Sequence, residues 1–183
     1  MNITLRPARP EDAEEMARWF ADLADLAAWG GPDVHFPLTG DQLAAWIAES
    51  ENEQPRICFT TVDGNDVPTG HVEFLRDPPK RWARLGRFAI APALRGKGFG
   101  RALFDRAVQM AFTELDVEHL ALAVMSTNVR ARQLYLRSGF RDEGVMPGTR
   151  TADGQPYVMT VMGLMREDWR QRTGARPGAT KVA

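Results

Sequence analysis

The stretch from Trp82 to Met125 constrains the fold more than any other part of the chain. Strand residues, a glycine-rich loop, an amphipathic helix and a second strand follow one another there without a break. Trp82–Ile90 reads as a strand, and Ile90-Ala91-Pro92-Ala93-Leu94-Arg95-Gly96-Lys97-Gly98-Phe99-Gly100 leaves it. Leu103, Phe104, Ala107, Val108 and Ala111 then form one stripe of a helix over about 100–113. Leu120, Leu122 and Val124 alternate with smaller residues as the next strand. Such a strand–helix–strand unit predicts a parallel pair joined by a right-handed crossover.

The rest of the chain supplies strands and helices around that unit. Residues 3–6 alternate as a first strand, and Pro10, Glu11 and Asp12 open a helix with acids at its positive end. Ala13, Met16, Phe20, Leu23 and Ala27 continue at helical spacing as one run to Gly30-Gly31. After the irregular loop Asp33-Val34-His35-Phe36-Pro37, Thr39-Gly40-Asp41-Gln42 fits a capping box ahead of Leu43, Ala44 and Ile47. Strands follow over 56–62 and about 69–75, around the turn Asp63-Gly64-Asn65-Asp66. A helix over 128–138 closes at Gly139, and strands over 140–146 and 157–165 flank a turn at Asp153-Gly154. The order predicts a mixed α/β domain over 1–172, with 173–183 as a flexible tail.

A formal charge of -1 gives no global basic field, so no nucleic-acid partner is expected. The one cysteine, Cys58, excludes an intrachain disulfide and any multi-cysteine zinc site, and it reads as a small core residue. Three scattered histidines offer no metal spacing, so no metal is expected. No stretch reaches the ~20 apolar residues of a membrane span, and the N-terminus has no apolar signal core. A cytoplasmic location is the expectation.

The glycine-rich loop carries the chemistry. Gly96, Gly98 and Gly100 let backbone come close to a ligand, and free amides at a helix start bind anions. Arg95 and Lys97 add positive charge, so a pyrophosphate-bearing molecule is the natural guest. Lys97 is followed by Gly98, which rules out the P-loop pattern, and the alternate glycines do not match Gly-x-Gly-x-x-Gly. The competing reading is a basic surface loop. Farther on, Asn128 and Tyr135 lie seven residues apart, nearly two turns, and share a helix face with Ala131 between them. They can offer an amide and a phenol to a ligand, or serve as a helix cap and a packing residue.

Arg95-x-x-Gly98-x-Gly100 resembles the acetyl-CoA signature of the GNAT superfamily of N-acetyltransferases. Asn128-x-x-Ala131-x-x-Leu134-Tyr135-x-x-x-Gly139-Phe140 resembles that family's second signature. The resemblance implies a GNAT-like, mostly antiparallel twisted sheet flanked by helices, with a central parallel βαβ crossover. It implies that acetyl-CoA is the co-substrate, with its diphosphate on the amides of Arg95, Gly96, Lys97, Gly98, Phe99 and Gly100. Backbone at Phe88 and Ile90, beside a bulge, would hold pantetheine, and Asn128 would touch the cofactor arm. Tyr135 would be the general acid toward the leaving thiolate. Phe140-Arg-Asp-Glu143-Gly144-Val145, with Asp153-Gly-Gln-Pro-Tyr157 and Met162-Gly-Leu-Met165, resembles the RimJ/RimL-like branch. Members often pair as homodimers.

An attacking amine must lose its proton. Many family members use a Glu on the fourth strand, but the matching positions here are Arg84, Leu85, Gly86 and Arg87. Glu73 on the adjacent strand is the first candidate base, ahead of His71 and His35. The acceptor side is expected in the segment Trp19–His35, with Asp22, Asp25, Trp29, Asp33, His35 and Phe36, where carboxylates and aromatic faces suit a cationic amine. The expected reaction is direct acetyl transfer to the primary amine of a small molecule. A protein N-terminal α-amino group and a non-catalytic acyl-CoA-binding module are the alternatives.

Overall fold

The computed structural model describes residues 3–31, 34–49, 55–150 and 156–174. Asp33, the Asp153-Gly154 turn and the end of the chain lie outside the described residues.

The strands are β1 (Leu5–Pro7), β2 (Arg56–Val62), β3 (Pro68–Asp77), β4 (Trp82–Ile90), β5 (His119–Met125), β6 (Arg141–Arg150) and β7 (Pro156–Met165). The helices are α1 (Asp12–Met16), α2 (Leu23–Gly30), α3 (Gly40–Ala48), α4 (Phe99–Thr113), α5 (Val129–Arg137) and α6 (Arg166–Thr173). One seven-stranded sheet runs in the order β1-β2-β3-β4-β5-β7-β6. β4 and β5 are parallel and joined through α4, as the strand–helix–strand pattern predicts, and the other neighbours are antiparallel.

The two faces of the sheet carry different helices. Val72, Phe74, Leu85, Leu120, Leu122, Val124, Met162 and Leu164 face α4, α5 and α6 in the main core, where Phe104, Phe112 and Phe140 fill the middle. A second cluster joins Ala89 of β4 to α1–α3 through Met16, Trp19, Phe20, Leu26, Val34, Leu38 and Leu43.

The single N-terminal helix expected over 10–30 is two helices joined by a 3-10 turn, Ala17–Trp19. Phe20 is extended, at φ -115° and ψ 130°. The Asp22 side chain accepts from Asp25 N–H at 2.9 Å, and the Asp25 carboxylate accepts from Ala21 N–H at 3.1 Å. This cap starts a new helix where apolar spacing alone runs on. Thr39 caps α3 by accepting from Gln42 N–H at 3.3 Å, as expected. Gln42 does not complete the box. Its amide instead holds the preceding loop through His35 N–H, His35 O and Pro37 O.

Helix α6 had no counterpart in the sequence reading. Its Trp169 stacks on Phe112 with ring centroids 5.2 Å apart. Arg166 at its start donates to Val117 O at 2.7 Å. Among the described residues, no helix is long and apolar enough to cross a membrane.

Candidate active site

The site begins where two strands part. β4 and β5 pair only from Trp82↔His119 to Leu85↔Leu122, yet β4 runs on to Ile90 and β5 to Met125. On its other side β4 stays paired with β3, and there it carries one extra residue: His71 opposes Ala89 while Glu73 opposes Gly86. Arg87 sits at this bulge with φ 41°. Past the bulge, Ala91 N–H donates to Thr69 O at 3.0 Å, toward β3. Strand backbone alternates its edges, so the polar groups of Ile90 and Phe88 point into the gap beside β5. Their side chains go elsewhere. Phe88 meets Phe104 edge-on, 6.0 Å between centroids, and Ile90 packs with Ile3 and Leu103.

The glycine-rich loop closes one end of that gap. Gly96 (φ 77°) and Gly98 (φ 81°) are left-handed, and a Cβ on either would meet nothing within 4 Å. The first bond inside α4 runs from Ala102 N–H to Gly98 O at 3.1 Å. The amides of Phe99, Gly100 and Arg101 therefore have no acceptor within the helix, and they converge at its positive end. Arg95 braces the turn: Nε donates to Ile90 O at 3.1 Å and Nη2 to Trp19 O at 3.2 Å. Lys97 is exposed beside it. Open left-handed glycines, unpaired amides and a parted strand edge fit a diphosphate with an extended amide-bearing arm.

Helix α5 follows β5, the strand that borders the gap opposite β4. Asn128 caps it, accepting from Ala131 N–H at 3.1 Å, so the cap reading holds and its side-chain NH2 remains for a ligand. Tyr135 packs against Phe104 at 4.9 Å and Phe140 at 6.2 Å between ring centroids. Burial pushes its phenol up to about 12, so it holds its proton throughout the neutral range.

On the α1–α3 face, below the bulge, lies a buried polar cluster. Cys58, His71 and Glu73 bring their side-chain heteroatoms within 4.8 Å of one another. Glu73 Oε2 accepts from Arg56 Nη1 at 2.7 Å and Arg87 Nη1 at 2.8 Å. Burial raises the Glu73 carboxyl, but His71, Arg87 and Arg56 outweigh it and lower the carboxyl to about 2. Arg87 also donates to Gly30 O at 3.0 Å and lies 3.9 Å from the centroid of the Trp46 ring. Burial pushes the Cys58 thiol up, and Glu73 adds to this. Two guanidinium groups on the one carboxylate, with a protonated thiol beside it, make this a poor cation site.

The structure brings Trp29 to this cluster, with its ring 5.7 Å from that of His71. His35 is exposed on the loop clasped by Gln42, and among the described residues no hydrogen bond or ion pair ties it to the parted strands. Asp22 and Asp25, the acids that suggested a cationic acceptor, cap α2. The sequence reading missed the inward role of Arg56 and Arg87. Two arginines at alternate-strand positions facing a buried Glu were the available signal, and it needs the strand register to be seen.

A model of the acetyltransferase (GNAT) domain matches residues 2–141. The spermidine N(1)-acetyltransferase of Vibrio cholerae serotype O1 is 44% identical over 84 residues, 46% of this chain and 49% of that protein. In that match the chain spans about half the relative's length. A putative phosphinothricin acetyltransferase of Bacillus subtilis is 25% identical over 164 residues, 88% of this chain and 98% of that one. Among solved structures, the Vibrio cholerae spermidine N-acetyltransferase in complex with CoA and spermine superposes with a TM-score of 0.77. It does so at 23% identity over 91% of this chain and 97% of that one, a likeness of fold. Since the family's model runs through the glycine-rich loop, the parted strands and the second motif alike, the chain belongs to the GNAT acetyltransferase family.

Proposed function

We propose that this acetyltransferase moves acetyl from acetyl-CoA to the primary amine of a small molecule by direct attack within a ternary complex. The observation that carries the reading is the opening between β4 and β5, with unpaired helix amides at one end and a protonated tyrosine alongside. Bound there, acetyl-CoA supplies an acyl group already activated as a thioester.

The protein's own residues do the rest. The free amides of Gly96 and of residues 98–101 bind the diphosphate, those of Arg95 and Lys97 being taken by Pro92 O and Leu94 O, and the Arg95 side chain keeps their turn in shape through Ile90 O and Trp19 O. Backbone at Phe88 and Ile90 orients the pantetheine arm, and the free NH2 of Asn128 reaches it from α5. Tyr135 Oη holds the proton given to the departing sulfur. At about 2, Glu73 is a weak base, and we assign it the task of fixing Arg87 at the bulge. The acceptor then sheds its proton to water.

The names of the spermidine and phosphinothricin relatives support a small amine as acceptor. A RimJ/RimL-type protein N-terminus would use the same cofactor half and differ only in the acceptor. The test is coenzyme A titration together with thiol release from acetyl-CoA over a panel of amines and N-terminal peptides. Coenzyme binding with turnover of small amines is expected. No coenzyme uptake would overturn the reading, and turnover of peptides alone would move the protein to the RimJ/RimL type.

A further inference from the structure

The face of the sheet below the bulge is unevenly charged. Strand pairing sets Arg56, Leu75, Arg84 and Ala121 in one row across β2, β3, β4 and β5. The next row, toward the gap, is Cys58, Glu73 and Gly86. Three guanidinium groups, those of Arg56, Arg84 and Arg87, thus share this face with two carboxylates, Glu49 and Glu73. Both carboxylates are committed. Glu49 accepts from Arg56 Nε at 2.6 Å, and Glu73 accepts from Arg56 and Arg87. Arg84 is exposed and has no hydrogen bond or ion pair among the described residues. Although the residue reaches the surface, partial desolvation of its guanidinium and the like charges of Arg56 and Arg87 lower it from its ordinary value. A cation in that setting gains from any anion that reaches it.

Open space lies beside it. A Cβ on Gly86 would meet nothing within 4 Å, and Gly86 is the first β4 residue beyond the last pair with β5. An amine above Gly86 therefore stands at the mouth of the gap. Arg84 is two residues back along the same strand face, roughly 6.6 Å away, well within reach of an arginine side chain meeting the same small molecule. A polyamine placed there would bring positive charge against an unneutralised guanidinium.

We propose that Arg84 recognises the acceptor, and that the acceptor is a small primary amine bearing its own carboxylate, of the amino-acid type. The inference rests on the placement of the thioester end in the β4–β5 gap given above, and it names the acceptor class for that site. Arg84 binds the carboxylate through paired N–H donors, which a lysine reproduces only in charge. The carboxylate also neutralises the repulsion among the three arginines.

The test uses the full chain with acetyl-CoA and matched amine pairs, each an amino acid and its decarboxylated counterpart, such as lysine with cadaverine and ornithine with putrescine. Spermidine is included. Thiol release should favour the carboxylated member of a pair by roughly tenfold or more in kcat/KM. Arg84→Gln should shrink that preference toward unity by raising KM for the carboxylated amine about tenfold or more, with coenzyme A affinity and the thermal midpoint retained. Arg84→Lys should recover part of it. Preference for spermidine or the decarboxylated amines overturns the proposal. So does an Arg84→Gln effect equal across both members of a pair, or bound coenzyme with no turnover of any carboxylated amine. Failure of the native protein to bind coenzyme A sinks the acetyl-CoA reading itself, whereas normal binding with polyamine preference sinks only this one.

Discussion

Arg87 Nη1 donates to Glu73 Oε2 at 2.8 Å, linking the bulge of β4 to the centre of β3 beneath the parted strands. The same oxygen takes Arg56 Nη1 at 2.7 Å, so one buried carboxylate secures two arginines from two strands. The left-handed backbone of Arg87, at φ 41°, is held in part by this contact and in part by Gly30 O.

Replacing Glu73 with Gln removes the carboxylate that holds Arg87 and that Arg56 shares with Glu49, and leaves both half-buried beside a neutral amide. A loss of about 3 kcal/mol in unfolding free energy is expected by denaturant titration at pH 7. Glu73 lies at about 2 in the folded protein, below its ordinary 4.5. Its contribution is therefore full above pH 4.5 and fades as pH falls toward 2. The gap between native and variant stability should narrow over that window, and a constant gap would show that charge is not its source.

Tyr135→Phe should lower kcat for thiol release by about a hundredfold or more while coenzyme A affinity stays within a few-fold of the native value. With the phenol pushed up to about 12, no alkaline fall in rate should come from Tyr135 below pH 10. The rate should instead rise with pH as the acceptor amine deprotonates. Equal losses in kcat and affinity would assign Tyr135 to packing against Phe104 and Phe140.

A Cβ at Gly98 would have open space but the wrong backbone, at φ 81°. Gly98→Ala should cost about 1–2 kcal/mol in stability from left-handed strain. It should also weaken coenzyme A binding, because the methyl enters the space where backbone approaches the diphosphate. Calorimetric titration of the folded variant reads the second effect, and unchanged affinity would place the diphosphate elsewhere.

Asp12 is buried and accepts from Arg6 Nη2 at 2.7 Å, Arg6 Nη1 at 2.9 Å and Arg9 N–H at 2.9 Å. Burial raises its carboxyl, but Arg6 and the Arg9 amide outweigh that and hold it below the ordinary value. Asp12→Ala should destabilise the protein by about 2–3 kcal/mol at neutral pH, since it removes these charge-assisted hydrogen bonds and leaves Arg6 to Asp66 and Pro7 O. The deficit should shrink as pH falls below the ordinary carboxylate value, which a pH series of thermal melts would show.

Cys58, buried at 5% exposure with its thiol pushed up by burial and Glu73, should be silent to a chromogenic disulfide in the native protein. One thiol should appear on unfolding. Rapid labelling without denaturant would show that β2 opens locally beneath α3.

Local chemistry was enough for much of this fold. Strand limits at Arg56–Val62 and Trp82–Ile90 follow from alternation between strong turn signals, and the amphipathic stripe of α4 forces the crossover that makes β4 and β5 parallel. The order of glycines after Ile90 fixes where backbone amides stay free. Those features depend on near neighbours, and near neighbours are what a sequence displays. The break at Phe20 was also written there, in Asp22 and Asp25, but the apolar spacing masked it. Tertiary structure decided the rest. Register across three strands places Arg56 and Arg87 on Glu73, which turns a candidate base into a clamped anion. It also leaves Arg84 without a counter-charge among the described residues, beside open space. A carboxylate's proton affinity is set by the charges and solvent around it, and here these come from His71 on the same strand and from Arg87 and Arg56, 14 and 17 positions away in the chain.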